Sequence, residues 1–498
     1  MVVGSGFGGL AAAVRLRAKG HAVTVVEAND QPGGRAAVFE REEHVFDAGP
    51  TVITAPYLLD ELFSLAGRDA RDYFRLMPVD PFYRVNFSDG ASFDYVGEEE
   101  RILAQIAALS PADVDGYRRL AARAREIFAV GYEQLVDVPF DRWRDMLRVA
   151  PDMVRLGSYR SVYGLVSQYI RDERLRQVFT FQPLLVGGNP FRTTSIYLLI
   201  HWLERKWGVW FPRGGTGAIV RALTKLLGEL GVEVRCNAPV TELEVQNGRT
   251  IGVRLASGEV IPAGAVVCNA DPSTVYTKLV APQHRRVHTD RAVQRKSQSM
   301  SLFVTYFGTS KRYPDIAHHT IALGPRYKGL LDDIFERKVL ADDFSLYLHR
   351  PTASDPALAP EGCESFYVLS PVPNDRSGID WAKRAPEYED RILGSLERTM
   401  MPGLRQSLRT KFSVDPRYFA EKLRSHDGAA FGLEPRLTQS AYFRYHNRSE
   451  DVDGLYFVGA STHPGAGVPG VLNTAKVLER IISRPGARRA AAAARPRW

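Results

Sequence analysis

Gly4, Gly6 and Gly9 stand at the spacing G-x-G-x-x-G in "VVGSGFGGLAAAVRL", and Glu27 closes the strand-like "HAVTVVE" that follows. This grouping binds dinucleotides. The first glycine permits a tight turn, the second lets a pyrophosphate approach, and the third packs helix on strand. Free N–H groups at the helix start then face the phosphates. Ser5 and Gly8 share the turn. Glu27 is placed to accept ribose hydroxyls, and its charge disfavours a 2′-phosphate and so NADP. Gly34 and Arg35 in "QPGGRA" and Gly49 in "FDAGPTVI" continue the pattern. Glycines there let an extended loop follow a cofactor, and Arg35 can neutralise pyrophosphate charge.

Glycines return at the far end of the chain. Gly459, Gly467 and Gly470, with Val471, lie in "LYFVGASTHPGAGVPGVLNTAK". A glycine-rich start to so late a helix indicates a cofactor gripped by both ends of the chain. FAD fits, with its adenine and pyrophosphate at the first motif and its isoalloxazine near Gly459–Gly470. The helix beginning around Gly470 would aim its positive end at the flavin N1/O2 edge. Backbone groups near Val240 are placed to read the adenine edge.

For proton transfer the pool of candidates is wide. Asp145 and Arg148 lie one turn apart, and a carboxylate beside a flavin in an apolar tunnel would have a raised pKa suited to that task. The competing reading is a surface i,i+3 ion pair. His463, in "STHPGAG", is a second candidate, set against a loop histidine that bonds the backbone. No Ser/His/Asp order, zinc spacing or Walker loop is present, so no metal site is expected. Cys236, Cys268 and Cys363 show no CxxC pattern, which points to a reducing compartment.

The elements that must position these groups are legible in part. Only Met1, Val2 and Val3 precede the first glycine, so the first strand is expected to be short; an upstream natural start is the alternative. "PFYRVNFSDGASFDY" predicts a hairpin around Asp89-Gly90, in a sheet that floors a substrate cavity. Residues 140–204 predict helices that mix arginine with apolar side chains. Between Arg142 and Arg176 there are eight arginines against four acids. Such a region can lie in the headgroup zone of an anionic bilayer, or can be an ordinary helical cap.

The predicted fold is α/β. A discontinuous Rossmann-type FAD domain takes 1–55, 205–275 and 452–482. A mixed-sheet substrate domain takes 56–139 and 276–451, a membrane-associated helical region 140–204, and a disordered tail 483–498. The composition agrees with a globular chain: 498 residues, 45% hydrophobic and 24% charged. Its net charge of +8 suits an anionic membrane surface or a polyanionic cofactor. No motif for nucleic acid accompanies that charge. No apolar run approaches the roughly 18 residues of a membrane-spanning helix.

The strings "GSGFGGLAAAVRL", "EANDQPGGRA", "FDAGPTVIT", "LLVGGNPFRTTSIY", "GVWFPRGGTGAIV" and "LYFVGASTHPGAGVPGVLNTAK" together resemble the bacterial and fungal type of phytoene desaturase, in the FAD-dependent amine-oxidase-like superfamily. The resemblance implies a peripheral enzyme on the cytoplasmic face of a membrane. It would take 15-cis-phytoene through successive dehydrogenations to neurosporene or lycopene. Hydride would pass to flavin N5 with proton loss from the adjacent carbon, and quinone or oxygen would accept the electrons. FAD contacts carry over to Gly4, Gly6, Gly8, Gly9, Glu27, Gly34, Arg35, Gly49, Gly459 and the Gly467–Val471 turn. Ser461 and Asn473 depart from the smaller residues common in the family. A long apolar tunnel is expected, with Phe179, Phe181, Leu184, Leu185, Val186, Tyr197, Trp202 and Trp210 as wall candidates. The alternatives are an amine oxidase, a carotenoid isomerase or ketolase, a desaturase of another carotenoid, and a non-enzymatic prenyl-lipid carrier.

Overall fold

The protein is described from a computed structural model over residues 1–485. The predicted disordered tail falls, from 486 onward, outside the described residues. Short strands, β-branched in the middle three, build a five-stranded parallel sheet in the order Leu455–Phe457, Val266–Cys268, Val2–Val3, Thr24–Val26, Glu233–Arg235. Two residues suffice for the first strand because it is paired on both sides. The helix Phe7–Ala18 is buried from Phe7 to Leu16. The small side chains Ala11, Ala12 and Ala13 let the helices Val468–Ile481 and Gly217–Glu229 pack against it. An antiparallel trio, Val240–Gln246, Arg249–Leu255 and Val260–Pro262, follows the middle part of the parallel sheet.

A second large sheet has seven strands in the order Leu408–Val414, Ser301–Thr309, Glu364–Val372, Leu346–His349, His319–Ala322, Tyr83–Asn86, Ser92–Tyr95. Its last two strands are the hairpin expected at Asp89-Gly90, with Tyr83 opposite Tyr95. The strand Ser301–Thr309 is buried along its whole length, so both of its faces are covered. Phe303 and Phe307 pack in the cluster that holds the helix Trp381–Thr399. Leu302, Val304 and Tyr306 alternate onto the opposite face.

Residues 143–207 are largely helical, with α-helices at Trp143–Arg155, Val162–Val166, Glu173–Val178 and Leu199–Trp207. Among the described residues no helix is long and apolar enough to cross a membrane.

Candidate active site

A cavity of about 1100 Å³ connects the glycine turn to the inner face of the seven-stranded sheet. At one end its wall is mostly backbone. Gly4, Gly6, Gly8, Gly34, Gly49, Gly459, Gly467 and Gly470 all line it, with Glu27, Arg35, Val240 and Val471. Ser5 and Gly9 stand behind this wall. Ser5 donates both its N–H, at 2.8 Å, and its hydroxyl, at 2.6 Å, to Glu27 Oε2, which aims the carboxylate. A Cβ at Gly9 would collide with the Gly4 carbonyl oxygen, so this residue sets how closely helix and strand approach.

Asn269, at the end of the strand Val266–Cys268, fills the centre of the turn. A Cβ on Gly6 would lie 2.8 Å from its Nδ2, and one on Gly8 2.5 Å from its Oδ1. No side chain larger than hydrogen fits at either position without displacing Asn269. Asn269 had no assigned role in the sequence reading, although ligands of parallel sheets do gather at the carboxyl ends of strands. Arg35 donates to the Ala430 carbonyl and the Ser425 hydroxyl, each at 2.7 Å. These are neutral oxygens, so the guanidinium charge stays available to an anion.

The C-terminal helix starts at Val468 rather than near Gly470, with Gly467 as its cap at φ +89°. Its first turn has free N–H groups directed at the cavity end. Taken together, an aimed carboxylate, an uncompensated arginine, a helix terminus and a glycine cradle fit the ribose, pyrophosphate and flavin of FAD.

The other end is apolar. Leu302, Val304, Ile321, Leu369 and Pro371 come from the seven-stranded sheet, Met300 from just before its strand Ser301–Thr309, and Tyr306, Tyr347 and Tyr367 add ring faces. Phe181, Leu184, Leu185, Val186 and Tyr197 line this chamber as expected. Phe179, Trp202 and Trp210 do not. Phe179 is core against Tyr117 and His201, Trp202 lies beneath the guanidiniums of Arg125 and Arg205, and Trp210 is tied to the Trp207 carbonyl at 2.6 Å.

The helix Trp143–Arg155 closes one side with Met146, Val149 and Met153. Asp145 and Arg148 sit one residue before two of these wall positions and are rotated away from the cavity by about 100°. Neither lines it. The Asp145 carboxylate instead accepts the Arg142 N–H at 3.2 Å and caps its own helix, while Arg148 is exposed. The outer face of this helix carries Trp143, Leu147 and Val154, all more than half exposed, as is Tyr159 beyond it. Arg142, Arg144, Arg148, Arg155 and Arg160 are exposed around them.

Among the titratable groups that line the cavity, His463 and Glu204 are buried. His463 is buried beside Phe140, neither ring nitrogen has a hydrogen-bond partner, and burial pushes its pKa down to about 4. It is a neutral imidazole. Glu204 accepts the Tyr83 hydroxyl at 2.7 Å, and burial, against that hydrogen bond, raises its pKa to about 8. It is a neutral acid at pH 7. The sequence reading did not single out Glu204. The available signal was an acid on the buried face of "LIHWLERKW", in phase with His201.

Ser461 and Asn473, the two departures, are both satisfied. Ser461 Oγ donates to Asp271 at 2.8 Å, and Asn473 donates to the Pro469 carbonyl at 2.8 Å.

Residues 7–477 match the family described as flavin containing amine oxidoreductase. The chain is 52% identical, over 97% of its length and 98% of the relative's, to a phytoene desaturase (lycopene-forming) of Pseudescherichia vulneris. It belongs to the phytoene desaturase family of flavin-containing oxidoreductases. Identity is 50% to the lycopene-forming relative from Pantoea ananas, covering 97% of this chain and 98% of that one. To a neurosporene-forming one from Rhodobacter capsulatus it is 43%, covering 97% and 93%. Among solved structures, putrescine oxidase with bound putrescine shares the fold at a TM-score of 0.63 and 15% identity, covering 96% of this chain and 97% of that one. Cyclohexylamine oxidase from Brevibacterium oxydans does so at 0.60 and 18%, with the same coverage. A flavin cofactor is thus a property of the family as well as a fit to the cradle.

Proposed function

We propose that this chain is a carotene desaturase that takes 15-cis-phytoene through successive dehydrogenations to neurosporene or lycopene. The observation that carries this reading is the single cavity, polar and glycine-lined at one end and apolar along the rest. Bound FAD supplies the hydride acceptor. A hydrocarbon has no polar handle, so its affinity comes from apolar area at roughly 25 cal/mol per Å². The aliphatic wall provides that area, aligns the carbon chain and excludes water.

The carbon next to the site of hydride loss becomes strongly acidic, so a weak base is enough to take its proton. His463 offers a neutral nitrogen free of other bonds, and replaces Asp145 as the candidate base. Glu204 and Tyr83 hold a neutral pair in the chamber wall and leave no fixed charge beside the hydrocarbon.

The exposed apolar stripe on Trp143–Arg155, ringed by arginines, would rest on an anionic membrane surface. Such a peripheral position suits a substrate dissolved in the bilayer. The glycine-rich segments, including Gly465–Gly470 where the G-x-G-x-x-G spacing recurs, are all assigned to the one FAD, and no further strand–glycine–helix unit is left for NAD(P), which supports quinone or oxygen as electron acceptor.

The test is to add phytoene in liposomes to the anaerobic flavoprotein. Loss of the oxidised-flavin band, its recovery with quinone or air, and coloured polyenes on chromatography are expected. Coloured product that forms only with stoichiometric NAD(P)+ and no bleaching would overturn the acceptor assignment. Isomerised but equally saturated product would favour an isomerase.

A further inference from the structure

His318, His319 and His349 are fully buried together on the seven-stranded sheet. One nitrogen from each lies within 4.8 Å of the others. His319 and His349 are directly opposed in neighbouring strands, which puts both rings on one face, and His318 precedes its strand. That face is the one that carries Ile321, Tyr347, Tyr367 and Leu369 into the cavity wall.

Four ring nitrogens in the cluster have no partner: Nε2 of His318, Nε2 of His319 and both nitrogens of His349. The remaining two are engaged on the far side of their rings. His318 Nδ1 meets Ser354 Oγ at 2.7 Å, and His319 Nδ1 meets the Tyr347 hydroxyl at 2.7 Å. A buried polar atom without a partner destabilises a fold, and four in one place call for a common explanation.

We infer that these three histidines form a site for a divalent transition-metal ion of the zinc class, separate from the cofactor cradle. Three imidazoles are a known zinc set that leaves one position for water. Tetrahedral zinc with bonds of 2.0–2.1 Å spaces its nitrogens about 3.4 Å apart, so each ring needs to shift inward by less than about 1 Å. Histidines that hold a metal direct their other N–H to an oxygen, as His318 does toward Ser354 and His319 toward Tyr347. The adjacent Arg350 does not stand as an uncompensated cation, because Glu364 lies 3.3 Å from it.

The site is linked to the chamber. With the ion on Nε2, His319 must carry its proton on Nδ1 and donate to Tyr347. Tyr347 bonds Thr51 Oγ1 at 3.1 Å, and Thr51 bonds the Tyr367 hydroxyl at 2.8 Å. Metal binding therefore fixes the direction of a hydrogen-bond chain in the cavity wall. The sequence shows only a His-His pair and a third histidine thirty residues on, a spacing that resembles no zinc motif until strand pairing closes it.

The test uses the flavin-loaded, full-length chain without a histidine tag, produced in zinc-supplemented and separately in cobalt-supplemented medium. One zinc per chain should survive desalting and dialysis against chelator. The cobalt form should show the visible bands of a four-coordinate site. His319→Gln and His349→Ala should lose the ion and keep their flavin, whereas His284→Ala, outside the cluster, should keep both. Absence of stoichiometric metal from the wild type, or its retention in both cluster variants, overturns the proposal. Zinc-edge X-ray absorption of the wild type needs no variant to fold. Imidazole scattering supports the site, and a sulfur or purely aqueous shell rejects it.

Discussion

The two ends of the cavity are built on opposite principles. At the cofactor end the wall is backbone, and Gly6, Gly8 and Gly9 are held by contacts that admit no Cβ. At the chamber end it is a mosaic of side chains drawn from strands between Ser301 and Val372 and from the helix Trp143–Arg155. The first construction has one solution. The second can be filled by many combinations of similar total volume. Failure at the cradle should therefore be all-or-none, and change at the chamber should be graded.

The largest effect is expected at Gly9. Gly9→Val forces a branched side chain into the Gly4 carbonyl, and the protein should purify without flavin, as read from the ratio of flavin to protein absorbance. Leu302→Val is the matched change in the chamber. It should keep full flavin and shift only the distribution of desaturation products, at a stability cost of about 1 kcal/mol. Equal flavin loss in both would erase the contrast.

Next in size is a pH effect in the chamber. Burial raises Glu204 from its ordinary 4.5 to about 8, so the folded chain keeps a proton that the unfolded chain releases between those values. Stability from this group is present below pH 4.5 and is lost as pH rises toward 8. At about 1.4 kcal/mol per pKa unit the window is worth roughly 5 kcal/mol. Glu204→Gln should remove that slope. Comparing melting temperatures of the two proteins at pH 5 and pH 8.5 isolates it from Asp47 and Glu434, which burial also raises to about 7.

Glu27→Ala should cost about 1–3 kcal/mol of FAD affinity, the worth of a charge-assisted hydrogen bond. Titration of apoprotein with FAD measures it, and unchanged affinity would remove Glu27 from the cradle. The smallest effect belongs to the outer surface. Replacing Arg148, Arg155 and Arg160 with glutamine should weaken binding to anionic vesicles by about 1 kcal/mol per residue, with flavin content unchanged. Arg155 should contribute least, because Asp152 already holds it at 3.1 Å.

The same contrast explains what the sequence made legible. A glycine that must sit against a backbone is marked locally, so the motifs around Gly4, Gly34 and Gly467 identified the cradle without knowledge of the fold. Asn269 escaped because its contacts lie 260 residues away in the chain. In the chamber, position along a helix was insufficient. Asp145 and Met146 are neighbours in sequence, yet about 100° of rotation separates a capping carboxylate from a cavity wall. Phe179 and Phe181 are equally buried aromatics, and only tertiary packing decides that one is core and the other lines the chamber. His319 and His349 came together through strand register, which one-dimensional spacing does not encode.

The helix Trp143–Arg155 has apolar residues on two sides, one set facing the chamber and one facing outward. On the proposed membrane surface, a partition of this kind would divide two oily phases rather than oil from water. A hydrocarbon crossing beside it would never be hydrated, so the aqueous solubility of the substrate would drop out of the rate law. That proposal predicts surface-dilution kinetics. At fixed enzyme and total phytoene, adding empty lipid to the same vesicles slows the reaction, whereas diluting the whole suspension with buffer leaves the rate per bound enzyme unchanged.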